Sequence, residues 1–153
     1  MASGPNVVYN DAKLAAWKKL VDLSSDSLAI ALFTSASIAI NDQVTPATYT
    51  ALAADGHEVA SGNGYTTGGV AVPSVTLAGG GSVGTIALGV GNVAWSVTGA
   101  GFTARVAVLY DTTSPTKVAI AYMLLDATPA DVTALAGQSL TVSMGNVFNE
   151  TGN

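Results

Sequence analysis

The sequence predicts a mainly β protein: an antiparallel β-sandwich or jelly-roll-like domain with an N-terminal α-helix and one short additional helix. Short apolar segments recur beyond Val59 with Gly-rich turns between them, as in antiparallel β proteins. The helices that parallel crossovers need are missing between these segments. Because 153 residues suit one core, we expect a single domain over residues 1–153, with a flexible arm at 1–8 and a flexible tail at 144–153.

The segment after Asn10 predicts an amphipathic helix that extends to Val21. Asn10 is a favourable N-cap residue. Leu14, Trp17 and Val21 recur at the spacing of one helical face. We therefore expect this face to pack on the core.

A second, shorter helix is predicted after Thr45. Thr45-Pro46 has the form of an N-cap followed by proline in the first turn, and the Ala-rich run to Ala54 ends before Gly56. Thr128–Asp131 is compatible with one helical turn or with a plain loop.

Seven segments have the composition and length of strands. The segment Leu28–Phe33 is too short and too continuously apolar for a surface helix and suits a buried strand. The other predicted strands are Val70–Leu77, Val83–Leu88, Val93–Val97, Phe102–Tyr110, Lys117–Leu125 and Gln138–Ser143. In these helices and strands, the aromatic residues expected in the core are Trp17, Trp95, Phe102, Tyr110 and Tyr122.

The low charge of the chain indicates extensive contact with other protein subunits. Charged residues make up 10% of the sequence and apolar residues 49%, whereas an average soluble domain has roughly 25% charged residues. Such a surface suits either a membrane or a protein interface. No ionisable acid, base or histidine occurs from Val59 to Ala104, but Gly and polar residues interrupt this stretch too often for a membrane span. We therefore expect no membrane partner.

The charge balance and the absent cysteines exclude further classes of function. A net charge of −5 argues against nucleic acid as a partner, because phosphate binding relies on clustered Lys and Arg. The chain has no cysteine, which excludes disulfides, thiolate metal sites and cysteine nucleophiles. No basic segment followed by an apolar segment is readable at residues 1–6, so we expect synthesis in a cytoplasm.

Two glycine motifs match a dinucleotide-binding fingerprint in letter only. Gly79–Gly84 has the form G-x-G-x-x-G, and Gly89–Ala94 has the variant that ends in Ala. Asp111 lies near the position of the acidic residue that follows such motifs. Neither motif opens a predicted helix, whose N-terminus is needed to bind the pyrophosphate. Both motifs are therefore interpreted as turns or loops, and no cofactor is expected.

No catalytic, cofactor-binding or metal-binding residue is predicted. His57 is the only histidine and lies in a predicted loop, so it lacks the further ligands that a metal site needs. The carboxylates are dispersed, although a glycosidase pair among them is a matter of three-dimensional distance and stays open. Arg105, the only arginine, lies in the predicted strand Phe102–Tyr110, where we expect it to pair with a carboxylate.

Five stretches of the chain resemble a family of small structural proteins of tailed-bacteriophage particles, of the capsid-decoration or cement type. The motifs Gly64-Tyr65-Thr66-Thr67-Gly68-Gly69 and Thr103-Ala104-Arg105-Val106-Ala107-Val108-Leu109-Tyr110 carry most of the resemblance. The five stretches are Tyr9–Lys13, Ser27–Ser35, Glu58–Gly69, Val93–Trp95, and Thr103–Asp111 together with Ala119–Tyr122. The sequence departs from the family pattern around Leu77–Gly91 and after Asp126.

This resemblance implies a non-enzymatic structural protein of the virion that binds and stabilises the assembled head. Its expected partners are the major capsid protein or other virion subunits and further copies of itself in a homo-oligomer. The expected contact surfaces are the termini and the loops Gly62–Gly69 and Gly79–Gly84, because loops can follow the contour of a neighbouring subunit. A tail, neck or fibre-adaptor protein and a carbohydrate-active β-sandwich enzyme are the alternatives.

Overall fold

The computed structural model describes residues 2–79, 85–128 and 130–151, and it confirms the predicted fold class. Antiparallel strands dominate, with two α-helices and one short 3₁₀ helix (Ile38–Ile40). The helices are α1 (Asn10–Trp17) and α2 (Tyr49–Ala54). The strands are β1 (Asn6–Val8), β2 (Leu28–Phe33), β3 (Val70–Ala71), β4 (Val75–Gly79), β5 (Thr85–Val90), β6 (Val93–Ser96), β7 (Phe102–Ala104), β8 (Val106–Asp111), β9 (Ala119–Leu124), β10 (Val132–Ala134), β11 (Ser139–Val142) and β12 (Gly145–Thr151).

A central sheet of five strands organises the molecule. Its order is β1-β9-β8-β2-β3, and smaller sheets form from β12-β5-β4, β11-β6 and β10-β7. On one face of the central sheet, Phe33 and Val108 pack with Leu52 of α2. On the other face, Leu32 and Leu109 pack in a second core with strands of the smaller sheets. Every residue of β2 and β8 is therefore buried, which explains the continuous apolar runs.

The helix α1 buries a different face from the one predicted. It ends at Trp17, and Lys19 adopts a left-handed backbone conformation with φ of 56°, so Val21 lies beyond the helix. Ala12 and Ala15 are buried, whereas Trp17 is 87% exposed. The small alanine side chains let the helix backbone approach the core closely, and the predicted buried face is wrong.

The helix α2 begins three residues later than predicted. Thr48, and not Thr45, caps it, because the Thr48 hydroxyl accepts a hydrogen bond from the Ala51 N–H. The preceding Ala47 is held outside the helix, since its N–H donates to Asp11 Oδ2 and its carbonyl accepts from Ala119 N–H. These two contacts with other elements set where the helix can start.

Two predicted strands are each divided between two sheets. Val70–Leu77 is interrupted around Pro73, so that β3 pairs with β2 while β4 pairs with β5. Phe102–Tyr110 is interrupted at Arg105, where the chain passes from the β10-β7 sheet into the central sheet.

The interruption at Arg105 also reverses which side chains share a face. Ala104 packs in the same core as Ala107 and Leu109, whereas Val106 and Val108 pack in the other core. Strict alternation along one strand would have placed Ala104 with Val106. A single strand over Phe102–Tyr110, as predicted, would keep one alternation throughout, and that alternation breaks at Arg105.

The expected arm and tail both contain paired strands. Within 1–8, Asn6–Val8 pairs with β9, and the Gly4 N–H donates to the Leu124 carbonyl at 2.9 Å. Within 144–153, Gly145–Thr151 pairs with β5. These strands satisfy backbone groups that β9 and β5 would otherwise leave unpaired. Residues 6–8 and 145–151 are therefore paired in sheets, whereas residues 1 and 152–153 of the expected arm and tail lie outside the described residues. Strand β10 was not among the predicted strands.

Candidate interaction surface

An apolar groove lies at the β1 edge of the central sheet, between α1 and the β12-β5-β4 sheet. We call it the α1 groove, and its volume is about 580 Å³. Lys13 is the charged residue among those that line it. The lining residues are Val8, Ala12, Lys13, Ala16, Trp17, Val21, Leu23, Ile86, Ile120 and Phe148. A concave apolar surface of this size is typical of a binding site.

The surface around the α1 groove exposes large apolar side chains. Trp17 is 87% exposed, Leu14 48% and Leu20 56%, all within or directly after α1. Across the groove, Ile86 is 49% exposed. Single exposed apolar residues are common, but Trp17 and Ile86 both line the groove, and an exposed apolar groove is typical of an interface with another molecule. Trp17 was predicted to lie in the core, and its exposure is the clearest signal of this surface.

Positive charge is concentrated at the same surface. Lys13, Lys18 and Lys19 account for three of the five basic residues of the chain, and all three are exposed. Asp22 follows three residues after Lys19, and its carboxylate accepts hydrogen bonds from the Ser24 hydroxyl and N–H, which lower its pKa. An apolar centre with a partly basic rim suits a partner that carries both apolar and acidic side chains.

A network around Glu58 holds the middle and the end of the Gly-rich loop Gly62–Gly69. The Glu58 carboxylate accepts hydrogen bonds from the Tyr49 hydroxyl at 2.8 Å, the Tyr65 hydroxyl at 2.8 Å and the Gly68 N–H at 2.6 Å. Burial is the main cause that raises the pKa of both tyrosine hydroxyls, so they stay protonated as donors. These hydrogen bonds satisfy the Glu58 carboxylate and hold the loop in place.

The loop Gly62–Gly69 is held on the core and is not free to adapt. Tyr65 is 2% exposed and packs in the core. Gly64 and Gly69 have φ of +92° and +72°, and a Cβ atom at these positions would lie 2.0 Å from Ser96 O and 1.8 Å from Ile30 O. Only glycine permits such close approach with positive φ. The loop precedes β3, so it lies at the edge of the central sheet opposite β1 and the α1 groove.

Gly89–Ala94 and His57 lie outside helices. Gly89–Ala94 connects β5 to β6 and opens no helix. Of Gly79–Gly84, residues 80–84 lie outside the described residues, as does Val83 of a predicted strand. His57 follows α2 in a loop, as predicted, and its carbonyl accepts from Thr34 N–H. Residues 2–79, 85–128 and 130–151 contain no group of three or more His, Cys, Asp or Glu placed to hold a metal ion.

Arg105 pairs with a carboxylate, as predicted. Its Nε donates to Asp131 Oδ1 at 2.8 Å, and the side chains are 18% and 45% exposed. This ion pair connects the turn between β7 and β8 with the start of β10. Among the predicted core aromatic residues, Trp95 and Tyr110 are buried and Phe102 and Tyr122 are partly buried.

Asp111 is a buried acid that the sequence analysis did not identify as buried. It ends β8 with no exposed surface, and its Oδ1 accepts from Thr113 N–H at 2.7 Å and Ser114 N–H at 3.2 Å. Burial raises the pKa of this carboxyl group, and the nearby Asp26 raises it further, while the two N–H groups oppose the shift. The segment Asp111–Ser114 has the composition of a turn closed by an aspartate side chain, which was the available signal.

In the described part of the chain, no helix has the length and apolar character needed to cross a membrane. A scan against models of known protein families found no match, and searches of curated proteins and of solved structures found none either.

Proposed function

We propose that this chain is a non-enzymatic structural protein of a tailed-phage particle that binds the assembled head and stabilises it. The observation that carries the proposed contact with several other subunits is the surface of the molecule: Trp17 is 87% exposed beside an apolar groove, in a chain with only 10% charged residues. A protein with this surface gains by covering it with other subunits. The resemblance of Glu58–Gly69 and Thr103–Asp111 to decoration proteins supports a phage particle as the assembly that contains those subunits.

The proposed mechanism is burial of surface between subunits, without covalent chemistry. A protein that binds assembled shells and not dissociated subunits stabilises the shell by mass action. Interfaces of roughly 1,600 Å² are typical of specific complexes. A homo-oligomer that contacts several sites at once gains further through multivalency.

The loop Gly62–Gly69 is the surface that we assign to the shell. Asn63, Thr66 and Thr67 are exposed on it, and its backbone is fixed by Tyr65 and the glycines described above. A loop that is already ordered loses little conformational freedom on binding. Its position opposite the α1 groove leaves the groove available for a different contact.

The test compares purified shells with and without this protein during heating. We expect cosedimentation with intact shells and a higher disruption temperature. The variant Thr66→Glu, which adds charge and bulk to an exposed loop position, should lose binding, whereas Thr66→Ser should retain it. Absence of binding to intact shells contradicts the head assignment and favours a tail or neck protein. Depolymerisation of carbohydrate by the purified chain would instead identify an enzyme.

A further inference from the structure

We propose that the free edge of β4 pairs with β4 of a second copy of this chain, so that the two β12-β5-β4 sheets join into one continuous sheet. In each copy, β4 is the outer strand of its sheet. Antiparallel pairing of a strand with its own copy has two-fold symmetry, and such an interface closes at the dimer. The inference concerns self-association alone, so it goes beyond the proposed function and does not depend on a phage particle.

The hydrogen bonds between β4 and β5 determine which backbone groups of β4 face outward. The Gly91 N–H donates to the Ser74 carbonyl at 2.8 Å, one residue before the ladder begins at Val75. Because hydrogen-bonded residues alternate along an antiparallel strand, Thr76 bonds to β5, whereas the N–H and carbonyl groups of Val75 and Leu77 point away from it. No hydrogen bond from residues 2–79, 85–128 or 130–151 reaches these outward groups. They form an unoccupied edge of the kind to which extended strands bind.

The edge of β4 is open and lacks the features that protect other sheet edges. Thr76, Leu77, Ala78 and Gly79 are exposed. Edge strands usually carry a charged residue, a proline or a bulge that prevents pairing with another strand. The sequence of β4 is VTLAG, with no charge and no proline, and its register with β5 has no shift. This edge is therefore suited to pairing.

The opposite edge of the same sheet is protected. β12 has a bulge between Asn146 and Phe148. In addition, Asn6 Nδ2 donates to the Met144 carbonyl at 2.7 Å and to the Asn146 carbonyl at 2.8 Å. The beginning of β12 is thus already in contact with β1, and its ladder is interrupted one residue later. Of the two edges, β4 is the one left free for a second strand.

A second copy of β4 matches this edge in its backbone and its side chains. When Leu77 lies opposite Leu77 of the second copy, the two outward N–H groups donate to the two outward carbonyls. Val75 then lies opposite Gly79, so a branched side chain meets a residue that has none. Leu77 is 44% exposed and lies on the same sheet face as its buried β5 partner, Leu88, so the two Leu77 side chains extend this apolar face together.

The charge of the chain does not oppose this contact. No acid, base or histidine occurs from Val59 to Ala104, a segment that includes all of β4 and β5, so no like charges from this segment meet across the axis. A strand from an unrelated protein would match the backbone groups but not this symmetric arrangement of side chains. These observations favour a second copy as the occupant.

The first experiment measures the mass of the full-length chain by sedimentation at several protein concentrations. We expect a monomer–dimer equilibrium, with a limiting mass twice that of one chain and no larger species. Leu77→Lys and Leu77→Glu should each remain monomeric, because each places like charges opposite one another at the axis. Ile38→Lys is the matched control, since Ile38 is 43% exposed and lies outside β4; this variant should dimerise like the unaltered chain.

An equimolar mixture of Leu77→Lys and Leu77→Glu is the sharpest test. Opposite charges then meet at the axis, so we expect the mixture to recover the dimer mass that each variant loses alone. A mixture of folded variants that stays monomeric overturns the proposal, as does an unaltered chain that is monomeric at every concentration. Dimers that both charged variants retain would place the interface elsewhere and overturn it as well.

Amide hydrogen exchange tests the pairing in the unaltered chain, without any substitution. The N–H groups of Val75 and Leu77 should exchange rapidly at low concentration and slowly at high concentration, where a second strand protects them. Thr76 and Ala78 pair with β5 and are the internal control, with the same slow exchange at both concentrations. Exchange at Leu77 that does not change with concentration overturns the proposal. Shell binding is measured separately by cosedimentation, so a failure of β4 pairing and a failure of the proposed function give different results.

Discussion

At the scale of single residues, the position of Asp111 in the fold changes how readily its carboxyl group ionises. It is an acid without exposed surface, beside a second acid, Asp26, in a core that otherwise consists mostly of apolar groups. Its Oδ1 retains two backbone N–H donors, which hold the turn that follows β8. The carboxyl group therefore stabilises this turn, and its burial makes ionisation costly.

The pH dependence of stability should reveal this cost. Because the folded state raises the pKa of Asp111 above its usual value of 3.8, the folded state binds the proton more tightly than the unfolded state does. The stabilising contribution is fully present below pH 3.8 and is lost as the pH rises through the raised pKa. Asp111→Asn keeps an acceptor oxygen and cannot ionise. The melting temperature of this variant should therefore rise relative to that of the unaltered chain as the pH increases. Melting curves measured across this range check the prediction, and a constant difference would contradict it.

Arg105 is a second residue whose side-chain chemistry should affect stability. Its guanidinium contacts Asp131, and its backbone N–H and carbonyl bond to Phe33 and Leu125. Arg105→Lys leaves the backbone contacts in place but removes the planar donor group. Since the pair is partly exposed, we expect a loss of about 1 kcal/mol or less, seen as a melting temperature lower by roughly 2–4 °C. Thermal melting at low and high salt measures it, and an unchanged curve would show that the guanidinium contributes nothing.

At the scale of elements, the loop Gly62–Gly69 depends on glycine where its backbone touches the sheets. Gly69→Ala adds a Cβ atom 1.8 Å from Ile30 O at a φ of +72°. The loop would have to move away from β2, so we expect a loss of stability of about 2 kcal/mol or more. Gly56→Ala is the matched control, because Gly56 has a φ of +78° and no atom within 4 Å of the added Cβ. It should cost only about 1 kcal/mol of backbone strain. Equal unfolding free energies in urea for the two variants would show that close contact is unimportant.

The buried face of α1 also depends on the elements that pack against it. The apolar pattern of α1 favours Leu14 and Trp17 as core residues, yet the sheet accepts Ala12 and Ala15 because the helix lies close to it. Larger residues on that face would push the helix away. Leu14 and Trp17 are consequently exposed.

At the scale of the whole molecule, the central sheet joins two cores. Its strands β2 and β8 contribute side chains to both, so neither core can unfold without disrupting the other. We therefore expect one cooperative thermal transition, with the calorimetric enthalpy equal to the van't Hoff enthalpy. Scanning calorimetry on dilute protein, where association is negligible, provides the measurement. Two separated transitions would indicate independently folding units.

The sequence by itself determined the class of fold and the character of the surface. Apolar runs of strand length, Gly-rich turns and few charges are local or compositional properties, and they predicted β2, the absence of parallel crossovers and the Arg105 ion pair. Packing decided the rest. The interruption at Arg105, the pairing of residues 6–8 and 145–151, the burial of Asp111 and the exposure of Trp17 each depend on which elements become neighbours. The local pattern of apolar residues does not specify which elements become neighbours. A side chain is buried only when a second surface packs against the one that carries it.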